Sequence, residues 1–171
     1  MILLLLYDEP EIRERELTMR NVPGLLFFIL IATGSVAEAQ ISEDRSADEA
    51  AIRQVTQDYI ARRDEGDEAG LRALLTENVD QRLTSGRMRI GQDEVVSGSL
   101  GSTQSSGGKR VITLKEIRFL GADVAVANGN YDSLGRADGT DLYMRTTIVF
   151  WRSDGKWRID AIRNARAPES E

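Results

Sequence analysis

The sequence contains no cysteine and no histidine. The absence of cysteine excludes disulfides, thiolate metal sites and sulfur nucleophiles. The absence of histidine removes the usual general base at neutral pH and the commonest metal ligand. A Ser-His-Asp triad is impossible for the same reason. There is no basic cluster along the chain, and the formal charge is −6. That mild acidity argues against a nucleic-acid partner. No apolar run is long enough to span a bilayer as a permanent helix.

What is present fits one soluble domain. The chain has 171 residues, 41 % hydrophobic and 29 % charged, which suits a single globular unit. Residues 1–39 read as a leader. Met19-Arg20-Asn21 is a short positive segment, Leu25 to Thr33 is apolar, and Ala37-Glu38-Ala39 places small residues where a signal peptidase reads. This three-part pattern predicts a signal peptide over 19–39 with cleavage before Gln40, a secreted or periplasmic location, and no membrane association after cleavage. Asp8, Glu9, Glu11, Glu14 and Glu16 oppose the charge expected ahead of such a segment, so translation is expected to start at Met19. Residues 40–45 read as a linker, 46–167 as the domain and 168–171 as a tail.

Within the domain, Ser46-Ala47-Asp48-Glu49 predicts a capping box opening a helix. Ile52, Val55, Tyr59 and Ile60 form its apolar stripe. Gly66 ends it, and Asp67 caps a second helix with Leu71, Leu74 and Leu75 on its buried side. Val79 to Leu83 and Arg87 to Ile90 read as strands around a Gly turn. Gly91 to Val96 reads as a short helix, and the Gly- and Ser-rich stretch 98–108 as a loop. Four long strands follow. The apolar phase of Val111 to Leu120 shifts, which predicts a β-bulge near Lys115–Glu116. Ser153-Asp154-Gly155 predicts a tight hairpin turn. Helices first and an antiparallel meander after them make an α+β order.

This order, ending in Asp154-Gly155-Lys156-Trp157-Arg158-Ile159, resembles the nuclear transport factor 2-like superfamily. More narrowly it is similar to the SnoaL-like and SgcJ/EcaC-like branch. The resemblance covers residues 46–166 and implies a cystatin-like cone, a curved antiparallel sheet wrapped around helices with a pocket. It does not imply one activity, since the superfamily holds isomerases, dehydratases, cyclases and non-catalytic domains.

Compared with the steroid isomerase branch, Tyr59 matches the oxyanion-donating Tyr. The position of the catalytic base is Leu83 and that of the second acid is near Ile148. The Tyr is kept and both acids are lost, so no catalytic set is expected. The alignment implies a pocket lined by Ala125, Ala127, Gly129 and Tyr131, by Met144, Thr146, Ile148 and Phe150, and by Asp160, Ile162 and Asn164. Period-2 reading of the last strand instead selects Trp157, Ile159 and Ala161 as its core face. The two agree if a partner subunit covers the outer face, which predicts a homodimer.

The expected ligand-binding residues are therefore Tyr59, Tyr131, Asp160, Asn164, Leu83 and Ile148, around a small apolar or amphipathic ligand. No cofactor and no metal are expected. Asp64, Glu65, Asp67 and Glu68 fit no calcium loop and read as solvated caps. Three readings stay open: a ligand-binding domain, an isomerase- or cyclase-like enzyme using Tyr59 and a desolvated Asp160, or a structural dimerisation domain.

Overall fold

A computed structural model describes residues 44–168. The predicted leader, its cleavage site and most of the linker lie outside the described residues. No helix among those described is long and apolar enough to cross a membrane. The elements are α1 (Ser46–Glu65), α2 (Glu68–Ala73), β1 (Leu75–Arg82), β2 (Met88–Ile90), α3 (Gln92–Ser106), β3 (Lys109–Phe119), β4 (Val124–Leu134), β5 (Leu142–Ser153) and β6 (Lys156–Arg166). They form one six-stranded sheet in the order β2-β1-β6-β5-β4-β3. All neighbours are antiparallel except β1 and β6.

Helix α1 begins one residue earlier than the capping box requires. Arg45 takes the cap position and Ser46 is the first helical residue. The Asp44 carboxylate accepts from the Ser46 amide at 3.0 Å, doing the work expected of the Ser hydroxyl. Its C-terminus ends on Gly66 at φ 71°, where only glycine is unstrained. Asp67 then caps α2 by accepting from the Gly70 amide at 2.9 Å. Leu75 is buried, but as the first residue of β1 and not as part of α2.

The largest departure from the sequence reading is α3, which runs through most of the stretch read as a loop. Its Ser and Thr hydroxyls find their partners within the helix itself. Ser97, Ser102, Thr103 and Ser106 each donate to a carbonyl three or four residues back. One face of the helix therefore packs small polar groups inward, and Ser99 is fully buried.

The core lies between the helices and the inner face of the sheet. Ile52, Tyr59, Leu71, Val79, Val95, Ile148, Phe150, Ile159 and Ile162 are all essentially solvent-free. The bulge in β3 falls between Leu114 and Glu116, as its apolar phase predicts. Gly129 sits opposite the bulged segment. A Cβ there would stand 2.1 Å from the Thr113 carbonyl oxygen, so the missing side chain makes room for a backbone and not for a ligand. The β5–β6 turn has Asp154 and Gly155 at φ 52° and 70°, the geometry of a tight hairpin with two left-handed residues.

A second irregularity settles the last strand. The β5–β6 register shifts between Val149, which pairs with Ala161, and Phe150, which pairs with Ile159. Asp160 is the extra residue. Before it, Trp157 and Ile159 face the core; after it, Ile162 and Asn164 do. Both readings of β6 thus hold for half of the strand. The correction falls on Asp160, which is turned out of the core, and on Trp157 and Ile159, which do not belong to the outer face.

Candidate functional site

The cone is solid at its middle. Ile148 and Tyr59 are both 0 % exposed and belong to that packed centre. Open space lies at one end, where a cavity of about 260 Å³ is bounded by the inner ends of β4, β5 and β6, the β1–β2 turn, and the last two turns of α3. Of the expected residues, Leu83, Tyr131 and Asn164 line it. Tyr59 lies beneath it, its hydroxyl 3.2 Å from Ser99 Oγ. Ile148 is placed deeper still. Asp160 is on the other side of the sheet, where it accepts from Thr76 Oγ1 at 2.7 Å in a surface groove shared with Trp151 and Arg158.

The residues missed by sequence reasoning are arginines. Arg63 from α1, Arg89 from β2 and Arg110 from β3 line the same cavity and are 3 %, 7 % and 5 % exposed. Each sits on an apolar phase. Arg63 follows Ile52, Thr56 and Tyr59 down the buried stripe of α1. Arg110 precedes Ile112 and Leu114 on the inner face of β3, and Arg89 pairs across from Gln81, in phase with Val79. That phase was the signal available: a charged residue where the periodicity calls for an apolar one.

Dipoles hold the guanidiniums in place. Arg63 Nη2 donates to the Ser99 carbonyl at 3.2 Å, Ser102 Oγ at 3.1 Å and Thr103 Oγ1 at 3.3 Å, and Arg63 Nη1 donates to the Tyr131 hydroxyl. Arg110 Nη2 donates to the Ser102 carbonyl at 3.0 Å and Ser106 Oγ at 2.7 Å. Apart from the Tyr131 hydroxyl, these acceptors belong to the C-terminal half of α3, the negative end of its dipole, which carries no basic residue in its last turn. The Ser and Thr hydroxyl protons are already given to helix carbonyls, so their lone pairs are left to accept. Arg89 Nη1 donates to Gln81 Oε1 at 2.8 Å. The Arg63 guanidinium also lies 5.4 Å from the centre of the Tyr59 ring.

Charge in the cavity wall is one-sided. No Asp or Glu is among the lining residues. Arg110 has a carboxylate at 3.7 Å, that of Asp64, and Arg136 at the mouth pairs with Asp138 at 3.2 Å. Among the described residues, Arg63 and Arg89 have no carboxylate partner at that range. Arg63 Nε, Arg89 Nε and Arg110 Nη1 are buried without a hydrogen-bond partner. Burial holds Arg89 below the usual guanidinium pKa, and the neighbouring Arg87 and Arg63 charges add to the effect. Burial raises the Tyr131 pKa against the pull of Arg63, so the phenol keeps its proton. Thr146 Oγ1 donates to Asn164 Oδ1 at 2.8 Å, leaving the amide NH₂ as the donor end.

The described residues hold no group of three or more acidic side chains placed to chelate. In the acidic elbow, Asp67 is a cap, Glu65 pairs with Arg62 and Glu68 with Arg72.

No protein-family model matches the chain, and no curated protein matches its sequence. Solved structures do match. A conserved protein from Planctomyces limnophilus DSM 3776 is 25 % identical, with TM-score 0.62, over 72 % of this chain and 98 % of that one. A ketosteroid isomerase-like protein from Erwinia carotovora atroseptica SCRI1043 is 17 % identical, with TM-score 0.61, over 72 % and 99 %. A hexachlorocyclohexane dehydrochlorinase (LinA) type 2 is 17 % identical, with TM-score 0.61, over 73 % and 88 %. Further matches are described as cystatin-like and as NTF-2 like. The domain therefore has the fold described in these structures as cystatin-like and NTF-2 like.

Proposed function

We propose that this is an exported ligand-binding domain that takes a small amphipathic molecule into the open end of the cone. The observation that carries the reading is the make-up of that cavity, where apolar Leu83, Leu142 and Met144 share the wall with buried polar groups of Tyr131 and Asn164. Apolar walls with a few convergent polar atoms are the usual composition of a small-molecule site. An isomerase-like reaction on Tyr59 and Asp160 has little to support it, because Tyr59 bonds to Ser99 in the core while Asp160 bonds to Thr76 outside. Native mass spectrometry of the protein purified from its own source tests the reading. A retained small molecule is expected, released when Leu83→Trp fills the cavity. Retention by the Trp variant as well would overturn it.

We further propose that two copies meet through the outer face of the sheet. Val126, Val149 and Ala161 lie side by side across β4, β5 and β6, and Trp151 beside them is 49 % exposed. An uncovered strip of this kind favours self-association.

A further inference from the structure

Burying a guanidinium is costly, and the cost is ordinarily met by a carboxylate. In this cavity it is met only in part. Helix carbonyls, hydroxyls and one amide oxygen orient the three arginines, but these are dipoles. Among the described residues only Arg110 has a carboxylate within ion-pair range, that of Asp64, which is partly exposed and also attracts Arg63 from farther off. Such a wall is rich in donors and poor in negative charge. The Tyr131 oxygen already accepts from Arg63, so its own O–H is free to donate.

We infer that the cavity is an oxyanion site, in which Arg63, Arg89 and Arg110 hold the carboxylate or phosphate head of a small organic anion. Its apolar body lies along Leu83, Leu142 and Met144. The inference rests on the ligand-binding reading above and gives the ligand its chemical class. An anion placed among the guanidiniums supplies the countercharge that Arg89 lacks and adds to the single carboxylate, Asp64, that Arg63 and Arg110 share. It can also take up N–H groups that now have no acceptor. The arrangement selects against neutral and cationic analogues, because neither relieves the repulsion between Arg63 and Arg89.

Two glycines and a row of hydroxyls are the structural means. A Cβ on Gly98 would stand 2.3 Å from Arg89 Nε, so the helix must be bare there for Arg89 to reach inward. On Gly108 a Cβ would stand 2.4 Å from the Leu134 carbonyl oxygen, so the chain leading from α3 into β3 and Arg110 must also be bare. The Ser-rich face of α3 accepts from Arg63 and Arg110 without adding a full negative charge that would compete with the ligand.

The test compares hexanoate, hexyl phosphate, hexan-1-ol and hexylammonium at one fixed ionic strength, by calorimetric titration and thermal melting of the full chain. Hexanoate, hexyl phosphate or both should bind and raise the melting temperature, and which of them responds assigns the head group. Arg89→Gln should weaken that binding by about tenfold or more, the loss expected of a charged hydrogen bond. The same variant without anion should melt no lower than the wild type, since it removes a buried cation with no counter-charge. An arginine with a purely structural role would give the opposite result. Equal binding of hexan-1-ol and hexanoate would overturn the anion inference and leave the ligand-binding reading standing. Binding of none of the four would overturn the anion inference too, and would count against the cavity as a small-molecule site.

Discussion

Arg89 occupies the space that a side chain on residue 98 would need: a Cβ on Gly98 would stand 2.3 Å from its Nε. The substitution Gly98→Ala therefore has two opposed effects. Alanine favours the interior of α3 by about 1 kcal/mol, while the methyl group drives Arg89 from its place. Denaturant unfolding should show a stability within about 1 kcal/mol of the wild type. Affinity for hexanoate or hexyl phosphate should fall as it does in Arg89→Gln. Unchanged affinity would mean that Arg89 does not need its present position.

Tyr59 and Ile148 provide a contrast between packing and recognition. Tyr59→Phe removes the contact with Ser99 Oγ and should cost about 0.5–1.5 kcal/mol of stability. Ile148→Ala should cost about 2–5 kcal/mol, since the site is fully buried. Neither residue lines the cavity, so neither change should alter which of the four hexyl compounds binds. A switch in that selectivity would place the ligand deeper in the cone.

At the opposite end of the cone, Trp157 Nε1, Arg152 Nη1 and Arg45 Nη1 donate to the Asp48 carboxylate at 2.9, 2.8 and 3.0 Å. The Trp157 hydrogen bond is the chief cause of a pKa below the usual Asp value; the Arg45 and Arg152 charges add to it, and burial works against it. A carboxyl with a lower pKa in the folded than in the unfolded state contributes stability above about pH 4. That contribution is lost as pH falls through the folded value. Asp48→Asn should therefore be less stable at pH 7, and urea titrations should show the gap closing toward pH 3. A gap independent of pH would show that ionisation of Asp48 is not what matters.

If the outer face is a dimer interface, Trp151→Glu should yield monomers without loss of fold. Sedimentation velocity should find the wild type dimeric at micromolar concentration. A wild-type monomer there would remove the interface.

The fold was legible because it is written in local periodicity and turn chemistry. Gly66-Asp67, the phase slip at Lys115–Glu116 and Asp154-Gly155 each marked a feature that the backbone shows. The reading of α3 failed because serine and threonine act as breakers while their hydroxyls face water; here those hydroxyls bond to the helix or to arginine. The site was less legible. Arg63, Arg89 and Arg110 come from three elements of a chain with net negative charge, so no window of sequence shows a basic cluster. Asp160 was misplaced because one extra residue in β6 reverses every side chain beyond it.

The position of β6 also sets the order in which the chain can assemble. The last strand in sequence is not at an edge of the sheet; it lies between β1 and β5 and pairs with both. Until residues 156–166 have been made, β1 and β2 have no bond to the meander of β3, β4 and β5. The two halves are joined by contacts such as Leu75 with Ile159, far apart along the chain. Closing such a distance is slow, and the partly built sheet exposes two unpaired edges while it waits. A nascent chain of this sequence therefore carries unpaired β1 and β5 edges until its final strand is released.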